Sequence, residues 1–305
     1  MRKLTLLFLL LLLLGACSFP AAPSPSPAPT ASLTSAPTPV PAPTPAAEPS
    51  PTASPAQEIP PAMAEDGEHP RLIAHAGGAV YGYRLTNSLE ALDRAWEGGF
   101  RFIELDFQRT SDGEIVLIHD WESMARRMLG AEGQRSKAEF LAADALAGLT
   151  LLDLAGLLDW LEAHPGCGII TDTKSGDDLA LLSEIREKAG DLAGRFIPQA
   201  YDFEQATALA EAGWERVILT IYRIAVTPEE LASFLAETPL WAVAIPEGRM
   251  SEAFAEAVAG SGTALYCHSV NTLDFVDAWR DRGLTGIYTD YFEPKHWVEG
   301  QIEAD

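Results

Sequence analysis

Four stretches of this 305-residue chain place imidazole and carboxylate side chains at the ends of short apolar runs. Leu72-Ile73-Ala74 runs into His75 and then Ala76-Gly77-Gly78, suggesting an imidazole at a strand end with ligand backbone passing close. In Phe102-Ile103-Glu104-Leu105-Asp106 the two acids are two residues apart, so as a strand they share one face, with Ile103 and Leu105 on the other. Two carboxylates side by side inside a fold are costly unless a cation neutralises them. Oxygen-only donors point to a hard ion, Ca²⁺ or Mg²⁺, rather than zinc. Val116-Leu117-Ile118 closes on His119-Asp120, which brings a second imidazole toward the same cation. Gly168-Ile169-Ile170-Thr171-Asp172-Thr173-Lys174 repeats the alternation. Asp172 offers a third acidic ligand and Lys174 a positive charge for a phosphate.

Those side chains need a scaffold that collects strand ends. Strands are predicted at 71–75, 102–107, 168–173, 196–200, 217–222, 240–245, 264–270 and 286–290, with 114–119 a further strand-like run. Helical patterns fall between most of them, at 87–96, 178–188, 204–212, 228–236, 251–259 and 273–281. Thr227-Pro228 reads as an N-cap followed by proline at the first helical position. Parallel neighbours need crossover connections, so the alternation implies a parallel eight-stranded (β/α)8 TIM barrel. Such barrels place their sites at the carboxyl ends of the strands, where the acids and histidines fall. Asp112-Gly113 is a hairpin-like turn signal that folds 115–119 back beside the second strand. The stretch from Trp121 to about Leu152 then reads as a small insertion on the same face.

The barrel cannot begin at the first residue. Arg2 and Lys3 precede an apolar run, Leu4–Leu14, which is short for the ~20 residues of a spanning helix. The run ends in Leu14-Gly15-Ala16-Cys17, similar to the lipobox of bacterial lipoproteins, so residues 1–17 read as a lipoprotein signal peptide with Cys17 as the acylated residue. Fifteen of the 22 prolines lie between Pro20 and Pro61, in a segment too poor in bulky apolar residues to offset its own ordering entropy. Residues 18–66 are therefore expected to form an extended tether and 67–305 the catalytic domain. The expected location is extracytoplasmic, on the bacterial cell membrane through the lipid anchor alone. A formal net charge of −23 argues against nucleic acid or anionic lipid as partner, and it makes a local cation necessary for any anionic substrate. Cys167 and Cys267 read as buried free thiols, and a monomer is the expected state.

Together these residues resemble the glycerophosphodiester phosphodiesterase family. The resemblance rests on the His75-x-Gly77 turn, Thr86-Asn87-Ser88-Leu89-Glu90-Ala91, Glu104-x-Asp106, Thr110-x-Asp112-Gly113, Val116-x-x-His119-Asp120 and Asp172-x-Lys174. Near the end it continues in Val270-Asn271 and Gly286-Ile287-Tyr288-Thr289-Asp290, so it spans about Leu72 to Pro294. It implies metal-dependent hydrolysis of glycerophosphodiesters to glycerol 3-phosphate and an alcohol. Glu104, Asp106 and Asp172 would hold the divalent cation, with His75 and His119 as the acid–base pair. Asn87 would orient a histidine or the phosphate. The chain departs from the family pattern at Ala76, where arginine is usual, and at Asp172, where glutamate is usual. Arg84 or Lys174 is then expected to supply the missing positive charge.

Two other readings bear on the same residues. One is a phosphodiesterase or lyase acting on another lipid head group or a wall phosphodiester, such as an enzyme that forms a cyclic phosphate on inositol- or choline-type lipids without using water. The other is a binding lipoprotein on an inactive barrel, against which the intact set His75, Glu104, Asp106, His119, Asp172 and Lys174 argues. Gln199, Tyr201 and Tyr222-Arg223 sit at the right end of their strands for substrate contact. His268 lies near another strand end, with a polar rim role favoured. Trp121 is a candidate pocket wall and Trp241 a packing residue at the barrel bottom. His69, His164 and His296 have no constellation around them and read as solvated.

Overall fold

The computed structural model describes residues 69–294 except 175 and 177. The signal peptide, Cys17, the tether, the two ends of the 67–305 domain and His296 lie outside the described residues.

Nine strands form one sheet: β1 (Leu72–Ala74), β2 (Phe102–Arg109), β3 (Ile115–Leu117), β4 (Gly168–Thr173), β5 (Phe196–Ala200), β6 (Ile218–Thr220), β7 (Ala242–Pro246), β8 (Ala264–His268) and β9 (Gly286–Thr289). The order β1-β9-β8-β7-β6-β5-β4-β2 is parallel throughout and closes through a β1–β2 pairing, giving the expected (β/α)8 barrel. That closing seam is thin: β1 and β2 meet at the single pair Ala74↔Ile103. β3 is the extra strand. It runs antiparallel to β2 with Phe107 opposite Leu117, across the turn that Asp112-Gly113 signals.

Seven helices make the crossovers: α1 (Leu89–Glu97), α4 (Leu154–Ala163), α5 (Asp178–Ala189), α6 (Phe203–Glu211), α7 (Pro228–Glu237), α8 (Glu252–Ala259) and α9 (Leu273–Trp279). Thr227 caps α7 in a reciprocal box with Glu230, with proline at the first turn as its sequence implies. Two short helices, α2 (Ser123–Leu129) and α3 (Lys137–Leu141), lie in the insertion. No helix among the described residues is long and apolar enough to cross a membrane.

Strand alternation sorts the core into layers. Ile103, Leu105, Leu219 and Leu265 face outward and pack with Leu92, Leu157 and Val258 of the helices. Each such fully buried side chain contributes on the order of 2 kcal/mol relative to exposure. Ile73, Ile170, Ile197, Ile218, Tyr266 and Tyr288 fill the barrel interior. Its bottom is closed by Trp241, stacked against Phe102 at 5.9 Å and His69 at 4.6 Å between ring centroids. His69 thus belongs to the plug rather than to a solvated surface. His164 is similarly engaged, stacked 3.9 Å from Trp160.

The insertion has a small core of its own, built from Val116, Ile118, Trp121, Met124, Met128 and Phe140. Trp121 is committed there, its Nε1 donating to Arg109 O and its ring edge-on to Phe140. Gly286 marks where β9 passes the chain entering β1: a Cβ there would lie 2.6 Å from Arg71 O. Both cysteines are buried free thiols, and burial pushes the thiol of Cys167 up to about 12.

Candidate active site

At the carboxyl ends of the strands the inward-facing residues change from apolar to ionisable. Asp106 on β2 is paired in register with Asp172 on β4, so their carboxylates stand on neighbouring strands. Glu104 lies two residues below Asp106 on the same face. Ligand oxygens of Glu104, Asp106 and Asp172 all fall within 4.8 Å of one another, and the three residues are only 1%, 1% and 8% exposed. Burial, and then the charge of Asp106, push the Glu104 carboxyl up to about 8. Glu104 Oε2 accepts the Ala76 N–H at 2.8 Å, while Oε1 is buried with no hydrogen-bond partner. A buried trio of oxygen donors with one orphaned oxygen fits a hard divalent cation.

The trio is held from several sides. Asn87 Nδ2 donates to Asp106 Oδ2 at 2.8 Å, and the Asp106 N–H donates to Asn87 Oδ1 at 2.9 Å. Asn87 is fully buried at φ +50°, a left-handed conformation that asparagine tolerates. Its amide meets the Asp106 carboxylate through one of its two N–H groups. Lys174 Nζ lies 2.6 Å from Asp172 Oδ2 and 3.1 Å from Asp106 Oδ1. Burial opposes the ammonium charge, but these two carboxylates outweigh it and raise the Lys174 pKa. Asp106 is held below the usual carboxylate range because Lys174, His119 and the Asn87 hydrogen bond overcome its burial. Tyr201 donates its hydroxyl to Asp172 Oδ1, and that hydroxyl accepts the Thr173 N–H at 2.6 Å.

The two histidines are each tied through Nδ1 to a carboxylate. His75 Nδ1 is 2.9 Å from Asp290 Oδ1, while its Nε2 lies 4.0 Å from Glu104 Oε2. Burial opposes protonation of His75, yet the Asp290 hydrogen bond and the charges of Glu104, Asp290 and Asp106 raise its pKa to about 9. Asn271 fixes Asp290 in turn, donating to its Oδ2 at 2.8 Å and accepting its backbone N–H at 2.9 Å. His119 Nδ1 is 2.8 Å from Asp120 Oδ2. Asp120 also accepts the N–H groups of Glu122 and Met124 at the start of α2.

The remaining expected residues are dispersed around this centre. Arg84 is half exposed and donates to Asp290 Oδ2 at 3.2 Å, on the His75 side. Gln199 is 5% exposed inside the barrel, where its Oε1 accepts from the Tyr288 hydroxyl at 3.5 Å. His268 pairs with Thr220 Oγ1 at 3.2 Å, and burial, then His75 and Lys174, push its pKa down to about 4. Asp290 and Asp120 have roles that sequence reasoning did not assign, although both stood within quoted motifs. Alternation from Tyr288 puts Asp290 on the inner face, a signal that was available.

Comparison with known proteins bears on the same region. The family described as "Glycerophosphoryl diester phosphodiesterase family" matches residues 75–192. The chain is 26% identical over 271 residues to "Probable glycerophosphodiester phosphodiesterase 1" of Mycobacterium tuberculosis, covering 76% of this chain and 93% of that protein. A putative glycerophosphodiester phosphodiesterase of Bacillus subtilis is 25% identical over 236 residues, covering 72% and 94%. Among solved structures, an Oleispira antarctica phosphodiesterase in complex with the product sn-glycerol-3-phosphate superposes with TM-score 0.60 at 16% identity, covering 76% and 96%. A glycerophosphodiester phosphodiesterase from Thermotoga maritima gives 0.58 at 20% identity, covering 73% and 95%.

Proposed function

We propose that this chain, related in sequence and fold to the glycerophosphodiester phosphodiesterases, is a phosphoric diester hydrolase that releases glycerol 3-phosphate and an alcohol from glycerophosphodiesters. One observation carries the reading: two histidines, each oriented by its own carboxylate, stand at strand ends around a buried acidic trio. Glu104, Asp106 and Asp172 would hold a divalent cation, Ca²⁺ or Mg²⁺. When bound, it supplies Lewis-acid polarisation of a phosphoryl oxygen.

The chain's own groups do the proton work. His75 and His119 each present Nε2, because Nδ1 is engaged by Asp290 or Asp120. One imidazole takes the proton of the attacking water and the other returns a proton to the leaving alkoxide. Lys174 binds the phosphoryl group electrostatically. Asn87 holds the Asp106 carboxylate in place, and Tyr201 does the same for Asp172. We further read Cys17 as a lipid anchor and residues 18–66 as a tether holding a monomeric enzyme on the outer side of the membrane. Loss of labelled-palmitate incorporation in Cys17→Ser tests that part.

The test of activity is release of glycerol 3-phosphate from glycerophosphocholine, glycerophosphoethanolamine and glycerophosphoglycerol by the chelator-treated protein, with and without added Ca²⁺ or Mg²⁺. Cation-dependent release is expected. A cyclic phosphate as the final product would replace hydrolysis with internal transfer. No release from any of these diesters would sink the proposal.

A further inference from the structure

We propose that Arg223, in the loop after β6, is a second phosphate-binding cation that acts with Lys174 on the substrate's phosphoryl group. The inference rests on the phosphodiesterase reading above and adds a specific anion contact to it.

The need for such a group follows from charge. A chain of formal net charge −23 repels a phosphodiester at long range, so binding must come from cations inside the site. Lys174 already faces two carboxylates, and the residue after His75 is the fully buried, uncharged Ala76. Arg84 is half exposed and ends on Asp290.

Arg223 differs from Arg84 in how firmly it is held. Its Nη2 donates to Thr173 O at 2.7 Å, its Nε to the Tyr222 hydroxyl at 3.0 Å, and its Nη1 to Asp178 Oδ2 at 3.3 Å. The guanidinium lies 3.5 Å over the Tyr201 ring, and Nη2 stands 3.8 Å from Asp172 Oδ1. The fork is therefore fixed beside the acidic trio by the tyrosine that also holds Asp172. Like Lys174 the group faces two carboxylates, Asp178 and Asp172, but a guanidinium has five N–H donors and its hydrogen bonds engage three, leaving one on each terminal nitrogen. A planar, pre-ordered pair of donors matches two oxygens of a phosphoryl group, and little side-chain entropy remains to be lost on binding.

The loop is anchored as well. Arg249, from the turn after β7, donates to the carbonyls of Ile221, Ile224 and Val226, on both sides of Tyr222-Arg223. The loop's tip is thus held from a neighbouring strand end, which keeps Arg223 over the site.

A purely structural role, tying the loops after β4 and β6 through Thr173 and Asp178, predicts something different, and calorimetry separates the two. Glycerol 3-phosphate is titrated into the full chain with Ca²⁺ or Mg²⁺ present, and thermal melts are recorded alongside. Arg223→Met should weaken glycerol 3-phosphate binding by about ten- to a hundredfold, the range of a lost charge-assisted contact. Arg223→Lys should recover part of the loss, because it restores charge without the fork. A lower melt with unchanged affinity would overturn the proposal, as would absence of measurable binding by the unsubstituted chain. If the methionine variant does not fold, Arg223→Lys is decisive: affinity equal to that of the unsubstituted chain overturns the assignment. Binding is read without turnover. A protein that cleaves no glycerophosphodiester yet loses anion binding with Arg223 would therefore keep this assignment and lose the other.

Discussion

His75 Nδ1 lies 2.9 Å from Asp290 Oδ1, so the last strand of the barrel orients the imidazole that closes the first. The carboxylate fixes which ring nitrogen faces the acidic trio. Asp290→Asn should lower kcat by about 10²-fold, the lower end of what acid–base groups supply, with KM little changed. Steady-state kinetics check this, and an unchanged kcat would show that His75 does not depend on Asp290.

His119→Ala should abolish measurable turnover, a loss of about 10²–10⁴-fold, while leaving the thermal melt nearly unchanged. His119 is partly exposed and its imidazole is held by Asp120, so little packing goes with the side chain. Retention of full activity would mean that His75 and His119 are not the acid–base pair.

Asp120 couples the site to the stability of the insertion. Its carboxyl is pushed down to about 2, because the Met124 N–H, the His119 hydrogen bond and Ser123 overcome its partial burial. A carboxyl depressed in the folded state stabilises the fold above its ordinary pKa of about 4. That contribution fades as the pH falls from there toward about 2. Asp120→Asn should therefore lower stability by about 1 kcal/mol at neutral pH, as for a lost helix cap, and the melt with it. The gap between the two melts should close in acid, and a gap independent of pH would refute this account.

Cation binding should be visible without any substrate. Adding Ca²⁺ or Mg²⁺ to the chelator-treated chain should raise its melt, the stabilisation being about 2.7 kcal/mol at a hundred times Kd. Glu104→Gln should shrink the gain, since it removes a charge from a trio whose oxygens lie within 4.8 Å of one another. Melts insensitive to both ions would exclude the trio as a cation site.

Gly286→Ala should cost about 1–3 kcal/mol through overpacking, because the new methyl would meet the Arg71 and Pro70 carbonyls at 2.6 and 2.8 Å. Denaturant titration reads it directly.

The parts of this site visible beforehand were those encoded by local alternation. Glu104 and Asp106 two apart, and Asp172 with Lys174 two apart, had to share faces once the strands formed. The same alternation put Ile103 and Leu105 against the helices, where they pack. Partnerships across the barrel were not visible. His75 and Asp290 are 215 residues apart, and only closure of the sheet brings them together. The Asn87–Asp106 bond was not visible either, because a position at a helix start says nothing about the neighbouring strand. Trp121 follows His119-Asp120 directly, yet the insertion needed an aromatic for its own small core and took it. His69 looked solvated because nothing adjacent in sequence announces Trp241 beneath it.

The thin junction between β1 and β2 gives the acidic residues a mechanical duty. One residue pair joins those edges, and further bonds across the gap run from the Ala76 N–H to Glu104, from the Asn87 amide to Asp106 and from the Asp106 N–H back to Asn87. The cylinder is laced shut by the same two side chains that would help gather the ion. A descendant that discarded either carboxylate would give up one of these cross-seam bonds together with the chemistry. In this molecule, retiring the chemistry and keeping the shape are competing demands.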